Sequence, residues 1–447
     1  MKILLINPPP RSPGQANVLV PPLGLAYLAA MLEKNHLPVE ILDANVLRLT
    51  WEKFRQTVAH KRPGLIGLTG MTPTIDTTFK AAKICRPYCR WLVLGGPHAT
   101  VFGSQVFKQA PEFDFLVKGE GEMAFLRLVQ DLMTGKQPPR VITGPLVGNL
   151  DSLPFPNRHL LPQNLYRYPL VNKLPFTTMI SSRGCPYHCL FCDKSVFGQT
   201  YRARSPQNVV DEIDMLVRQD KIRSLVFFDD LFTLNKARVG QICREILRRR
   251  LKLTWKAEAR VNTVDASTLK LMKKAGCALL AYGVESANQK SLDFLQKGET
   301  TAQAKKAFRL TRQAGIKTLG YFILGIPGET YVEAQKTVQL AIDLQCNYAQ
   351  FSVLTPYPGT KLTRLATQRG WLAETAAHNP FDQDIRKPAL LSPGWTPVKL
   401  KKIIREAHRR FYFRPKYLWQ QLLGLGQPNQ IRFALASGWR LIKWYHH

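Results

Sequence analysis

The chain has 447 residues, of which 63 are Lys or Arg and 31 are Asp or Glu, so its formal net charge is +32. With 45% hydrophobic and 21% charged residues, the composition is that of a folded protein of two or three domains. It excludes a disordered chain, a collagen-like chain and a disulfide-stapled mini-protein, and no apolar run reaches the roughly 20 residues that a membrane span needs. The basic charge favours a polyanion, an anionic membrane face or an acidic substrate as partner, without choosing among them.

The N-terminal sequence MKILLINPPP contains one lysine and a short apolar run that ends in three prolines. A secretory signal would need a longer apolar segment and a cleavage site, so we interpret this run as a first β-strand that enters a loop. The expected location is therefore the cytoplasm. The eight cysteines are accordingly expected to be reduced thiols or metal ligands rather than disulfides.

Residues 1–150 alternate short apolar runs with segments of helical periodicity. Strands separated by helices indicate a Rossmann-like, doubly wound parallel sheet, whose ligands lie beyond the carboxyl ends of the strands. The predicted strands are 2–7, 39–44, 65–71, 91–98 and 115–122, and the predicted helices are 22–35, 51–62, about 72–84 and 122–133.

The remaining chain divides into three parts. Residues 151–175 are rich in proline and lack a clean period, which predicts a linker. Residues 176–375 contain six strand–helix units, too few for a closed eight-unit barrel but suited to a partial (β/α)6 barrel. Residues 376–447 are expected to form a basic, aromatic and helical C-terminal region. The predicted fold class is therefore α/β, with a Rossmann-like domain followed by a partial barrel.

The strongest chemical signal is the sequence RGCPYHCLFCDK, in which Cys185, Cys189 and Cys192 follow the first strand of the second region. Three thiolates on one loop can hold three irons of a [4Fe–4S] cluster and leave the fourth iron open to a substrate or cofactor. Zinc normally takes four ligands, and His188 is an awkward candidate for the fourth. The alternative without chemistry is that three thiols have this spacing by chance.

This motif resembles the CxxxCxΦC signature of the radical S-adenosylmethionine (SAM) superfamily, with Phe191 as the aromatic residue before the last cysteine. The resemblance implies that the open iron binds SAM and that an electron from the cluster cleaves SAM to a 5′-deoxyadenosyl radical. It also assigns SAM contacts to segments that resemble those of the family, namely FFDD, KAEAR, YGVES and ILGIPGE. The residues implied to contact SAM, besides Phe191, are Asp229, Asp230, Arg260, Glu285, Ser286 and Gly325.

The N-terminal region resembles the cobalamin-binding domain of one branch of this superfamily, which includes the anaerobic magnesium-protoporphyrin ester cyclase and the hopanoid C-methylases. The segments NPPP, PPLGLAYLAA, GLTGMTPT, LGGPHAT and KGEGE carry the likeness. Glycines at strand ends let the backbone approach a corrin ring and its nucleotide tail. The residues implied to contact cobalamin are Pro9, Pro22, Gly24, Gly67, Thr69, Gly70, Met71, Thr72, Gly95, Gly96, His98, Gly119, Glu120 and Gly121.

The lower face of the cobalt is not assigned by the sequence, because the chain has no DxHxxG motif. His98 could ligate the metal, but the branch tends to leave this face without a ligand, and a lone histidine usually serves packing or hydrogen bonding. Met71 or Thr72 would then line that face.

The implied function is a cobalamin-dependent radical SAM C-methyltransferase that acts on an unactivated carbon of an apolar substrate, either a lipid or a tetrapyrrole. Tyr357, in YPGT, is the candidate substrate contact, and a reductase or flavodoxin-type protein is the expected electron donor. Two alternatives stay open. One is a cobalamin-dependent cyclase or ring-rearrangement enzyme without methyl transfer, and the other is a tRNA-modifying radical SAM enzyme, although nucleic acid is not the expected partner.

The basic C-terminal region admits three interpretations: a solvated surface, an interfacial helix on a membrane, or a nucleic-acid-binding segment. The membrane interpretation depends on aromatic residues among the Lys and Arg residues, namely Phe411, Tyr412, Phe413, Tyr417, Trp419, Trp439 and Trp444. Cys85 and Cys89 could form a redox pair but are expected to be structural thiols. Cys243, Cys277 and Cys346 are expected in the core.

Overall fold

A computed structural model of the chain describes residues 1–11, 19–168, 170, 173–373, 388–415 and 417–419. It divides into two compact units. The first comprises residues 1–186, 194–231 and 245–254, and the second comprises residues 187–193, 232–244 and 255–447. No helix in the described ranges is long and apolar enough to cross a membrane.

The first unit begins with a six-stranded, fully parallel sheet. Its strands are β1 (Ile3–Asn7), β2 (Val39–Asp43), β3 (Leu65–Thr69), β4 (Trp91–Gly95), β5 (Phe115–Gly119) and β6 (Val141–Gly144). The strand order β2-β1-β3-β4-β5-β6 reverses direction between β1 and β3, which confirms the doubly wound sheet. The sixth strand was not among the predicted ones.

Helices cover both faces of this sheet, and this explains its continuous apolar strands. Ile3 and Leu5 pack on one side, whereas Leu4 and Ile6 pack on the other, and all four are fully buried. The helices of this part are α1 (Leu23–Lys34), α2 (Trp51–Lys61), α3 (Ile75–Cys85), α4 (Pro97–Phe102), α5 (Val106–Gln109) and α6 (Gly121–Met133).

The first unit continues with four short strands and a helix. These are β7 (Phe176–Met179), β8 (Ser182–Arg183), β9 (Arg202–Ala203), α7 (Pro206–Arg218) and β10 (Ser224–Phe227). Strand β7 pairs with β10 in parallel, and β8 pairs with β9 in antiparallel orientation. The pairing of β8 with β9 closes the chain segment that contains the three cysteines of the motif.

The following strands and helices come next along the chain, and the strands complete the second parallel sheet, whose order is β14-β13-β12-β11-β10-β7. They are α8 (Lys236–Arg248), β11 (Thr254–Ala259), α9 (Ala266–Lys274), β12 (Cys277–Glu285), α10 (Gln289–Phe294), α11 (Thr301–Gln313), β13 (Lys317–Leu324), α12 (Tyr331–Asp343), β14 (Tyr348–Val353), α13 (Lys361–Gln368) and α14 (Pro397–Tyr412). The six parallel strands expected in this region are therefore confirmed. The C-terminal region contributes one described helix, α14, and residues 420–447 lie outside the described part.

Candidate functional site

The three cysteines of the motif lie within eight consecutive residues and carry free thiols. Cys189 is half-buried and Cys192 is exposed. We call residues 184–193 the cluster loop. Its first residue, Gly184, has φ +80°, and a Cβ there would overlap the carbonyl oxygen of Thr200, so only glycine fits. The Lys194 ammonium donates to the carbonyl oxygen of Cys185 at 2.9 Å.

No three His, Cys, Asp or Glu side chains within the described residues converge where one metal ion could bind. A [4Fe–4S] cluster is held differently, because each thiolate binds a separate iron corner of the cube. Three free thiols on one short loop, with a backbone that only glycine permits at its start, fit the donor set of such a cluster.

Two carboxylates at the end of β10 hold the chain just before Cys185. Asp229 is buried and accepts hydrogen bonds from the Ser181 amide at 2.6 Å, the Ser181 hydroxyl at 2.6 Å and the Ser182 hydroxyl at 2.7 Å. Asp230 accepts from the Gly184 amide at 2.9 Å. Burial raises the pKa of Asp230 above its usual value. Both residues were predicted to contact SAM, and in the structure they first of all hold the strand that leads into the cluster loop.

A buried ion-pair cluster holds the same segment from the turn after β5. The Arg183 guanidinium donates to Glu122 at 2.5 Å and lies 3.2 Å from Glu120. Arg202, on β9, donates to the other carboxylate oxygen of Glu120 at 2.6 Å, and the Val147 amide donates to Glu120 at 2.7 Å. The Glu120 side chain is fully buried, so this predicted cobalamin contact is engaged by protein donors at both oxygens.

Arg260, a predicted SAM residue of the second unit, follows β11. Its guanidinium lies 3.4 Å from the Cys189 sulfur, stacks 3.7 Å from the centre of the Tyr187 ring and lies 3.0 Å from Glu299. The cation is therefore placed beside one of the three cluster-loop cysteines.

Glu285 ends β12 with φ +64° and pairs with the buried Lys297 at 2.8 Å. Burial works against the charged form of Lys297, but Glu285 and Glu299 outweigh it and raise the pKa of the ammonium. Ser286 is fully buried, and its hydroxyl accepts from the Asn288 amide at 3.1 Å. These residues meet at the carboxyl end of β12, next to the segment that contains Arg260.

The turn after β13 contains Gly325, whose φ is +81°. Its amide and that of Ile326 donate to the Glu329 carboxylate at 3.0 and 3.2 Å. Burial raises the pKa of Glu329 to about 7 although both hydrogen bonds lower it. Phe191 packs against the apolar cluster that contains Leu190, Leu295 and Ile326. The half-buried Tyr357 accepts at its carbonyl oxygen from the Thr360 hydroxyl at 2.6 Å.

The predicted cobalamin residues end or follow strands β1, β3, β4 and β5 or begin α1, with Gly67 inside β3. Since these strands are parallel, their following loops share one edge of the sheet. The loops are tied together: the Gly70 amide donates to Gly95 at 2.9 Å, and the His98 amide donates to Gly70 at 3.1 Å. Gly96 has φ +97°, and a Cβ would come within 2.9 Å of the Gly70 oxygen. Met71 is 58% exposed, so its side chain is available to a ligand.

His98 is buried between two aromatic rings, stacked on Phe102 with centroids 4.3 Å apart and edge-on to Phe79 at 5.7 Å. Burial lowers its pKa to about 4, so the ring is neutral at physiological pH. Neither ring nitrogen has a hydrogen-bond partner within the described residues. A buried imidazole without partners fits a site whose hydrogen-bonding ligand is an added molecule.

The other cysteines are structural. Burial raises the pKa of Cys85 well above its usual value and that of Cys89 to about 11, so neither is a thiolate near neutral pH. Cys243, Cys277 and Cys346 are buried, which confirms their expected core positions.

The described aromatic residues of the C-terminal region do not share one exposed face. Phe411 and Tyr417 are buried, and Tyr412 donates to the carbonyl oxygen of Ala349 at 2.6 Å, so these three belong to the protein interior. Phe413 and Trp419 are exposed at 49% and 63%. Trp439 and Trp444 lie outside the described residues.

Several polar residues of the site were not predicted. Arg183, Glu122, Arg202, Lys297 and Glu299 form the buried ion pairs described above. Lys256 and Glu258 pair on β11, and the Tyr321 hydroxyl on β13 donates to Glu258 at 3.4 Å. The charged residues at every second position of WKAEAR were a signal that could have revealed the last group, because alternate residues of a strand share a face.

Comparisons with known proteins agree with this geometry. The profile of the radical SAM superfamily matches residues 179–341, and that of the B12-binding domain matches residues 14–129. An uncharacterized methyltransferase of Pyrococcus horikoshii is 35% identical, over 94% of each chain. The anaerobic magnesium-protoporphyrin IX monomethyl ester cyclase of Cereibacter sphaeroides is 31% identical over 93% of this chain and 71% of its own.

The hopanoid C-3 methylase of Methylococcus capsulatus is 24% identical over 81% of this chain and 72% of its own. Among solved structures, the radical SAM methyltransferase TsrM of Kitasatospora setae, with cobalamin and a [4Fe–4S] cluster bound, shares the fold. Its TM-score is 0.71 and its identity is 20%, over 91% of this chain and 90% of that one. With both domain profiles in the expected order and relatives above 30% identity along nearly its whole length, the chain is an enzyme of the cobalamin-dependent radical SAM family, whose cofactors are a [4Fe–4S] cluster, SAM and cobalamin.

Proposed function

We propose that this enzyme is a C-methyltransferase that acts on an unactivated carbon of an apolar substrate, either a lipid or a tetrapyrrole. The observation that carries the proposal is the presence, in one chain, of a three-cysteine loop beside Arg260 and a glycine-lined edge of a doubly wound sheet. The first relative named above is called a methyltransferase, and the hopanoid methylase and the cyclase are named for apolar substrates, which supports methyl transfer to such a substrate.

We propose that Cys185, Cys189 and Cys192 hold the cluster, and that the bound cofactors supply hydrogen abstraction and the methyl group. The residues proposed to surround SAM are Phe191, Asp229, Asp230, Arg260, Glu285, Ser286 and Gly325. The residues proposed to surround cobalamin are Pro9, Pro22, Gly24, Gly67, Thr69, Gly70, Met71, Thr72, Gly95, Gly96, His98, Gly119 and Gly121. Glu120 belongs to the same proposal, although Arg202 and the Val147 amide bind its carboxylate, just as Ser181 and Ser182 bind that of Asp229.

The chain's own contribution is to hold reacting groups and to exclude water. Asp229, Glu120 and Glu122 fix the segment before Cys185, while Arg260 places a positive charge beside Cys189. His98 stays neutral because it is buried, so it can offer either a ring N–H or a ring nitrogen acceptor to a ligand.

We further propose the domain division 1–150, 151–175, 176–375 and 376–447, with Tyr357 near the substrate. The net charge of +32 supports an acidic electron donor of the flavodoxin type and contact of the C-terminal region with an anionic membrane.

The test is anaerobic purification with cobalamin supplied, followed by iron, sulfide and corrinoid analysis and by mass spectrometry of the product. We expect about four irons and about one corrinoid per chain, and a product heavier than its substrate by one CH2 group. Loss of the corrinoid on deletion of residues 1–150 would assign it to the N-terminal sheet. A cluster without corrinoid after reconstitution would overturn the proposal.

A cobalamin-dependent cyclase is the second candidate, because the protoporphyrin ester cyclase of Cereibacter sphaeroides is 31% identical. Product mass separates the two reactions. Methyl transfer adds carbon and consumes a second SAM, whereas cyclisation leaves the carbon count unchanged.

A further inference from the structure

Strand β11 presents two chemically different faces. The Trp255 indole donates to the carbonyl oxygen of Ala275, at the end of α9, at 2.8 Å, and its ring packs on Phe232 with centroids 5.5 Å apart. Trp255, Ala257 and Ala259 are all buried. Because successive side chains of a strand alternate, Lys256 and Glu258 lie on the opposite face, away from α9.

On that face, Lys256 forms an ion pair with one carboxylate oxygen of Glu258, and the Tyr321 hydroxyl donates to the same oxygen at 3.4 Å. The other oxygen of Glu258, Oε2, accepts no hydrogen bond from any described residue. The Lys256 side chain is only 2% exposed, whereas that of Glu258 is 29% exposed. One half of the carboxylate is therefore fixed by the protein, and the other half is open to solvent or a ligand.

The strand that contains Glu258 leads to a residue that contacts the cluster loop. Arg260, two residues further along the chain, contacts the Cys189 sulfur at 3.4 Å. Two residues of a β-strand span about 7 Å. A substrate carbon that reacts near the cluster loop would therefore bring the rest of its molecule within reach of Glu258.

A purely structural role accounts poorly for this arrangement. Buried ion pairs contribute little net stability, and apolar residues of similar size often replace them without loss. Lys256 and Glu258 together carry no net charge. The open oxygen is therefore better suited to accept a hydrogen bond from a neutral donor than to bind a free cation.

We propose that Glu258, held in place by Lys256 and Tyr321, is a substrate-binding carboxylate that accepts a hydrogen bond from a hydroxyl or N–H group of an otherwise apolar substrate. The apolar part of this description rests on the proposed function. A hydrogen bond to a charged acceptor contributes about 10- to 100-fold in affinity over the same ligand without its donor.

Two fluorescent polycyclic probes that differ by one hydroxyl group test the proposal: 1-pyrenemethanol and 1-methylpyrene. Their binding would be titrated anaerobically into the reconstituted holoenzyme by fluorescence. We expect the wild type to bind pyrenemethanol at least about tenfold more tightly than methylpyrene. The Glu258→Gln variant and the double variant Lys256→Met, Glu258→Leu should reduce this preference to less than about threefold, and the double variant leaves no unpaired buried lysine.

The matched control is Glu52→Gln, at an exposed carboxylate on α2 that pairs with Arg55, and it should keep the wild-type preference. Equal binding of the two probes to the wild type, binding of neither, or an unchanged preference in Glu258→Gln would each overturn the proposal. Iron and corrinoid are measured on the same preparations. A wild type without them contradicts the proposed function, whereas a fully loaded wild type without the preference contradicts only the role of Glu258.

Discussion

Glu329 combines a buried carboxyl group with two backbone donors, and its protonation should therefore affect stability. Burial raises its pKa from an ordinary 4.5 to about 7. Between these values the unfolded chain releases the proton while the folded chain keeps it, so stability falls as pH rises and the full cost of about 3 kcal/mol is reached above pH 7. Glu329→Gln cannot ionise and should lack this dependence.

The measurement is the melting temperature of wild type and Glu329→Gln between about pH 5 and about pH 8. We expect the variant to gain stability relative to wild type as the pH rises. A difference between the two proteins that stays constant over this range would contradict the pKa given for Glu329.

Substitution of His98 can distinguish an effect on folding stability from an effect on cobalamin binding. Replacing it with Phe keeps an aromatic ring against Phe102 and removes two buried nitrogens without partners, so the melting temperature should change little. If the ring nitrogens bind the corrinoid, the same change should weaken cobalamin binding by about tenfold, measured by visible spectroscopy of the anaerobic protein. Unaltered cobalamin affinity in a stable His98→Phe protein would remove His98 from the proposed site.

At the scale of elements, the turn between β5 and α6 holds the segment that leads to Cys185. Glu122→Gln weakens a buried ion pair with Arg183, and removing one partner of such a pair costs about 3–5 kcal/mol. We expect a lower melting temperature together with less iron and sulfide per chain. The exposed pair Glu52–Arg55 on α2 is the matched control, and Glu52→Gln should lose at most about 1 kcal/mol.

The double variant Glu122→Gln, Arg183→Gln distinguishes pairing from simple loss of charge. If the two residues act through each other, the double variant should be more stable than the sum of the single effects predicts. Strict additivity would show that Arg183 and Glu122 contribute independently, and would contradict their role as a unit.

Elements with long apolar runs could be predicted from the sequence. Short edge strands, and ion-pair partners that are distant in sequence, could not. Strands β1, β3 and β4 are buried on both faces, which leaves a continuous apolar pattern in the sequence. Strand β6 has four residues and only its last is buried, so it lacks that pattern. The spacing of the cysteines is local and was visible, but the partners of Arg183 are 61 and 63 positions away and depend on the folded backbone.

At the scale of the whole molecule, the net charge of +32 favours an anionic partner, and the C-terminal region is where contact with an anionic membrane can be tested. Helix α14 packs its Phe411 side inwards, while Trp419 and Phe413 beyond it stay exposed. Aromatic side chains among basic residues favour the interface of an anionic membrane. We expect the enzyme to co-sediment with phosphatidylglycerol-containing vesicles but not with phosphatidylcholine vesicles.

Salt and substitution distinguish the electrostatic contribution to this membrane binding from the apolar one. Raising the ionic strength from about 0.1 M to about 1 M shortens the screening length from about 10 Å to about 3 Å and should release most of the protein. The double variant Phe413→Ala, Trp419→Ala removes two apolar contacts and should weaken binding at low salt, whereas Val332→Ala, at a 61% exposed apolar residue of α12, should not. Equal binding to both vesicle types, or binding that neither substitution changes, would contradict the membrane interpretation, and an acidic electron donor would then be the next partner to test.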